Sequence, residues 1–265
     1  MSTEPEVLEV RVADRVATMT MNRPERRNAL NASLRRRLRE AVAEIESDDE
    51  VDVAILTGAD PAFCAGLDLT EFTSPDSGLR DASLLPEGRD RGPLGRRTKP
   101  LIGAVNGVAV TGGLELALGC DFLIASERAR FADTHTRVGV LPGWGLTVLL
   151  PEAVGVRRAR EMSSTGNYVD ADLALTWGLV NRVVAHGELL ATCHDLAASI
   201  VSNDQGAVRT LLSTYERTTS TTAEEAWRIE AEVHREWTAA NLERSSSADR
   251  LQAVIDRGRS QVADG

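Results

Sequence analysis

The chain has 265 residues, 42% hydrophobic and 26% charged, the balance of a globular protein whose core needs no covalent staples. A net charge of -10 argues against a general binder of nucleic acid or of anionic membranes. No apolar run approaches the roughly 18 to 20 residues of a membrane span, so membrane insertion is not expected.

The start, MSTEPEVLEVRVADR, is acidic and polar where a secretory signal would be basic and then oily. Residues 7 to 20 alternate apolar and polar, which predicts two half-buried strands around an Ala-Asp turn. A polar, turn-rich stretch, MNRPERRNALN, follows. Asn31 then caps a helix in which Leu34, Leu38, Val42 and Ile45 recur at helical spacing. The next run, VDVAILTG, is too apolar for a wet face and predicts a parallel strand covered on both sides. Residues 73 to 98 carry no periodicity and read as a long loop.

Order returns with KPLIGAVNGVAV, read as one apolar strand, then Gly112-Gly113 and a helix carrying Glu115. DFLIASERARFAD reads as strand, turn and short strand, and LPGWGLTVLLPEAVG as a glycine-rich bend and a helix. ADLALTW is a short helix before the strand GLVNRVV. Beyond about residue 187 the pattern is helical: 189 to 202, 204 to 215, 223 to 241 with Ala226, Ile229, Val233 and Trp237 on one face, and about 248 to 257. Repeated ββα units with a helical tail make an α/β fold. Cys64, Cys120 and Cys193 are widely spaced and lack metal-site partners, which suits reduced thiols in a cytoplasmic protein and no metal site.

Two places offer backbone N–H groups beside small residues: Ala65-Gly66-Leu67 after VAILTG, and Gly112-Gly113 before the Glu115 helix. The first N–H groups of a helix lack internal partners, and two donors converging on one point stabilise charge developing on a carbonyl oxygen. Glu115 itself sits in an oily run, LELAL, with no cationic neighbour in sequence, so its burial demands a purpose or a partner.

Five segments resemble the crotonase superfamily in order and spacing: NRPERRNALN, LTGADPAFCAGLDL, VNGVAVTGGLELALGCDFLIAS, RFADTHTRVGVLPGWG and ALTWGLVNRVV. The chain is similar to enoyl-CoA hydratase/isomerase-family proteins up to about residue 190. The resemblance implies a crotonase-like (ClpP/crotonase) fold of ββα units over 1–190. It implies a C-terminal helical region over 191–265 that makes contacts within a homotrimer or dimer of trimers.

A coenzyme A thioester is the implied substrate, with no separate cofactor. The implied oxyanion hole is formed by the amides of Leu67 and Gly112. Ligand contacts are implied along Arg26, Arg27 and Ala29 and around Ala65, Gly66 and Asp68. Gly113 flanks the second amide, and Gly143 and Trp144 stand in the bend GWG, where a large indole would shorten or reshape the acyl pocket. Segment 73–98 corresponds to a variable flap over the acyl chain.

Glu115 falls on a catalytic glutamate of the family's hydratases, where a carboxylate moves a proton or orients water beside the activated carbon. The second glutamate of those hydratases is replaced here by His135, which also exchanges protons near neutral pH. Asp133, two residues earlier, offers a possible substitute carboxylate. The expected activity is hydration of a 2-trans-enoyl-CoA. Double-bond isomerisation through Glu115 alone, or other acyl-CoA chemistry of the superfamily, is the alternative. A non-catalytic acyl-CoA binder, with His135 blocking turnover, is a third reading. A serine or cysteine peptidase and a dinucleotide-binding domain are disfavoured, for no triad motif and no GxGxxG turn is found.

Overall fold

A computed structural model describes residues 6–72, 92–245 and 248–263. Strands β1 (Leu8–Ala13) and β2 (Val16–Met21) form the expected hairpin, turning at Asp14 and Arg15, both with positive φ. Helix α1 (Ala32–Ser47) begins where Asn31 accepts the Leu34 N–H at 2.9 Å, and it buries Leu34, Leu38, Ala41, Val42 and Ile45. The ββα units follow as β3 (Val53–Gly58), β4 (Ala62–Cys64) and α2 (Leu69–Phe72); β5 (Leu101–Val105), β6 (Val108–Val110) and α3 (Gly112–Gly119); then β7 (Phe122–Ser126), β8 (Arg130–Ala132) and α4 (His135–Val138). Next come α5 (Leu146–Val154), α6 (Val156–Thr165), β9 (Val169–Asp170), α7 (Ala171–Trp177), β10 (Arg182–Val184) and helices α8 (Leu189–Val201), α9 (Gln205–Thr218), α10 (Ala223–Ser245) and α11 (Ala248–Ala263).

Each unit sends one strand to each of two sheets. The larger has the order β1-β2-β3-β5-β7-β10 and the smaller β4-β6-β8-β9. KPLIGAVNGVAV is therefore two strands, not one. The break is at Asn106, whose amide donates to Asp60 and the Ala62 carbonyl and accepts from the Gly58 N–H. Those bonds turn the chain from the large sheet into the small one. Periodicity could not show it, because both strands are wholly apolar and almost entirely buried.

The covered strand is explained by the two cores. Ala54 and Leu56 of β3 face the main core with Leu34, Leu38 and Phe63. Val53 and Ile55 face the other way, against Leu189, Cys193 and Ala197 of α8. Alternate side chains point to opposite faces, and both faces are packed, so the strand has no polar register.

The chain divides into two compact units, one through Arg209 and one from Thr210, so α8 belongs with the sheets. In α10, Ile229 is buried, and Ala226, Val233 and Trp237 are half-buried on the same face. The last helix continues beyond the predicted end, to Ala263. No helix among the described residues is long and apolar enough to cross a membrane.

Candidate active site

The loop at Ala65–Asp68 is stitched to the turn before α1. Buried Asn28 accepts the Arg23 N–H and donates to the carbonyls of Ala59 and Ala62. Ala65 N–H bonds Arg27 at 3.0 Å, Leu30 N–H bonds Gly66 at 2.7 Å, and Asp68 N–H bonds Leu30 at 3.1 Å. This parallel bridge of Leu30 with Leu67 uses the amides on both sides of the Leu67 N–H. Among the described residues that N–H donates no hydrogen bond, and neither does the Gly112 N–H in the first turn of α3.

The two donors are held close. Gly66 has φ +87, and a Cβ there would lie 3.0 Å from the Val110 carbonyl and 3.5 Å from the Gly112 nitrogen. Gly113 is tighter still, since its Cβ would lie 2.1 Å from the Cys64 carbonyl oxygen. Backbone of α3 thus lies directly on the strand end that carries the first donor. Gly113→Ala is expected to destabilise the fold by about 3 kcal/mol, because the contact is backbone and has no rotamer to yield. Urea denaturation measures it; an unchanged midpoint would show that the close approach is dispensable.

An open pocket of about 430 Å³, its solvent-facing mouth included, is lined by Ala65, Leu67, Leu69, Thr111, Thr134, Val138 and Val140. Its wall is apolar apart from the two threonines, whose hydroxyls bond each other. Thr111 has φ 54, a region that costs a β-branched residue of order 1–3 kcal/mol.

One turn beyond Thr111, and next to Thr134, lies a chain of three buried ionisable groups. Glu115, Asp133 and His135 are only 4%, 2% and 4% exposed. The His135 Nδ1 is 2.6 Å from Asp133 Oδ1, and its Nε2 is 3.4 Å from Glu115 Oε2. The other Glu115 oxygen accepts the Trp144 N–H at 2.7 Å. Burial by itself lowers the pKa of His135, but hydrogen bonds and charge from Asp133 and Glu115 overcome it and push the value up to about 9. Burial likewise works against ionised Asp133, yet bonds from His135 and Ser163 outweigh it and hold this carboxyl below its ordinary value. At neutral pH the ring is therefore an imidazolium held against an ionised Asp133.

The predicted residues thus separate into groups. Leu67, Gly112, Ala65, Gly66 and Gly113 converge, and Glu115 with His135 stands beside them. Trp144 meets Glu115 through its backbone, and its ring packs against Gly92 and Gly112. Gly143 is exposed in the same bend. Arg26 and Arg27 are exposed, and Ala29 offers its carbonyl to Arg23.

Asp68 is buried, and its carboxylate is committed to Arg23 at 3.0 Å and to Thr70. Burial opposes ionisation of Asp68, but the Thr70 and Arg23 bonds lower its pKa. Arg23 and the Thr111–Thr134 pair were missed in sequence; only the three-dimensional neighbours reveal them. Asp133 was noticed as a substitute carboxylate, but it faces the back of the His135 ring. Of segment 73–98, residues 73–91 lie outside the described residues.

Two sheets built from repeated ββα units around this site define the crotonase fold. The chain belongs to the enoyl-CoA hydratase/isomerase family, whose description matches residues 11–252. It is 42% identical over 194 residues to "Probable enoyl-CoA hydratase 1, peroxisomal" of Arabidopsis thaliana, covering 73% of this chain and 72% of that one. It is 40% identical to the "Short-chain-enoyl-CoA hydratase" of Clostridium acetobutylicum, covering 74% and 75%. The solved enoyl-CoA hydratase of Mycobacterium tuberculosis H37Rv superposes with a TM-score of 0.73 at 53% identity, covering 86% of this chain and 98% of that one.

Proposed function

We propose that the chain adds water to a 2-trans-enoyl-CoA. The observation that carries this reading is the approach of Glu115 to His135, 3.4 Å apart, beside two uncommitted backbone donors. The thioester oxygen accepts from the N–H groups of Leu67 and Gly112, an oxyanion hole that draws electrons from the double bond. A water about 2.8 Å from both Glu115 Oε2 and His135 Nε2 fits a gap of this width. Glu115 takes one proton of the water as its oxygen bonds the β-carbon, and imidazolium His135 gives a proton to the α-carbon. A proton then passes from Glu115 to His135, and both groups return to their starting state.

Exposed Arg26 and Arg27 match the phosphates of coenzyme A, and the Ala65–Leu67 strip takes the pantetheine arm. Trp144, packed over Gly112, limits the acyl chain. The reaction takes no cofactor besides the thioester. The C-terminal helices, with exposed Leu211, Tyr215 and Trp227, assemble homotrimers or pairs of trimers. Three free, buried cysteines suit a cytoplasmic setting.

Isomerisation is the competing reading, because the Trp144 N–H holds one oxygen of Glu115 and leaves the other as a single proton shuttle. Crotonyl-CoA and longer 2-enoyl-CoA substrates, followed for loss of the conjugated-thioester absorbance and for deuterium uptake at the α-carbon, separate the cases. Water addition supports hydration. Deuterium uptake alone assigns the site to isomerisation, and neither signal with tight ligand binding makes the chain an acyl-CoA binder.

A further inference from the structure

We propose that Asp133 is a positioning residue that fixes the His135 ring and keeps both of its nitrogens protonated, so that the acid of this site is a cation instead of a second carboxylic acid. The geometry is specific. Asp133 Oδ1 receives two donors from the same residue, the His135 ring Nδ1 at 2.6 Å and the His135 backbone N–H at 3.2 Å. Two bonds to one oxygen leave the ring a single orientation, with Nε2 directed at Glu115. Asp133 is 2% exposed, and it is anchored from behind by the Ser163 side chain on α6. It does not reach the reacting atoms, and its effect runs through the imidazole.

The charge balance around the ring supports the assignment. Two charged groups act on it: Asp133, just after β8, and Glu115, on α3. From α6, packed against α4, the neighbouring groups are uncharged, with the Ser163 carbonyl accepting from Thr136. Arg137 on α4 turns to the Thr165 carbonyl and the Asn167 side chain. No described cation competes for either carboxylate of the chain. With Asp133 ionised, a proton on Nδ1 is bonded and neutralised, and the second proton on Nε2 meets Glu115. Without Asp133, an imidazole between a neutral partner and one carboxylate returns toward its ordinary titration range.

The kinetic part of this inference rests on the hydration reading, but the ring titration does not. With four histidines in the chain, 13C-labelled histidine resolves the ring of His135 in the unliganded protein, the His135→Gln spectrum identifying its peak. In Asp133→Asn the titration midpoint is expected to fall by about two units from the wild-type value, Glu115 retaining part of the shift. The imidazolium fraction at pH 8 then drops about tenfold, so kcat, lowered at both pH values by the loosened ring, falls about tenfold further at pH 8 than at pH 6. A merely structural role would depress kcat alike at both pH values and leave the midpoint in place.

Asp133→Glu, which keeps the charge, should recover the midpoint more fully than kcat. Ser163→Ala loosens the anchor without touching the pair, and it should move the midpoint the same way by a smaller step if Asp133→Asn does not fold. A midpoint unchanged in the folded variants overturns the assignment. A shifted midpoint in a protein that does not hydrate enoyl-CoA upholds it and overturns only the hydration reading.

Discussion

Glu115→Gln is expected to lower turnover by about 1,000-fold while affinity for coenzyme A ligands stays within about twofold. General acid–base groups contribute of order 10²–10⁴ to rate, and the glutamine cannot accept the proton of the attacking water. The substitution also misorients the site. In the native protein one carboxylate oxygen accepts the Trp144 N–H at 2.7 Å, and the other faces the His135 Nε2 at 3.4 Å. Both partners are donors, so a glutamine amide group sets its own N–H against one of them in either flip. The ring then loses one of the two acceptors that hold its charge.

The coenzyme A contacts proposed above fall elsewhere, along the turn at Arg26–Ala29 and the Ala65–Leu67 strip, whose hydrogen bonds do not pass through Glu115. Steady-state hydration and calorimetric binding of a saturated acyl-CoA measure the two effects. Unchanged kinetics would falsify the placement of Glu115 in the mechanism. Lost binding together with lost turnover would make it a residue that shapes the pocket.

Much of the geometry around this candidate site was legible in the sequence, and the limits have physical causes. Glycines at 66, 112 and 113 and a glutamate in an oily helix are conflicts between local pattern and burial, and such conflicts mark function. Asn31 and the apolar spacing of α1 were legible because capping and helical periodicity are local. The break at Asn106 was not, since its reason is a set of bonds to Gly58, Asp60 and Ala62, more than forty positions away in the chain.

The same holds for Arg23, whose partner is Asp68. A guanidinium in a turn reads as solvated or phosphate-binding until its carboxylate is found. The substitution of the second glutamate by His135 was visible as a departure, but its charge state was not. That state depends on Asp133 turning inward, behind the ring and away from the pocket, which a two-residue spacing leaves undecided.

That charge state reverses a simple expectation. If the site merely lacked a second glutamate, His135→Glu would raise hydration. In the structure the new carboxylate joins buried Asp133 and Glu115, with no described cation to balance three like groups. His135→Glu is therefore expected to reduce hydration and to cost about 3–5 kcal/mol near neutral pH, the penalty of removing one partner from a buried ion pair.

The pH dependence follows from the directions of the shifts. His135 has a folded-state pKa raised to about 9, so its contribution to stability is complete below its ordinary value of 6.5 and is lost as pH rises through about 9. Asp133 has a depressed folded-state value, so its contribution is present above the ordinary carboxylate range and fades as pH falls through that lowered value. Wild type should therefore exceed His135→Glu most at about pH 6. The gap should narrow toward pH 9.5, where the native ring has lost its proton, and also in acid, where the crowded carboxylates take up protons.

Combining His135→Glu with Asp133→Asn removes the third charge, leaves two facing carboxylates that can share a proton, and should return hydration above the His135→Glu level by about tenfold. Urea unfolding across pH and initial rates on crotonyl-CoA test the set. If His135→Glu hydrates faster than wild type while Asp133 is intact, the buried imidazolium is not what organises this site.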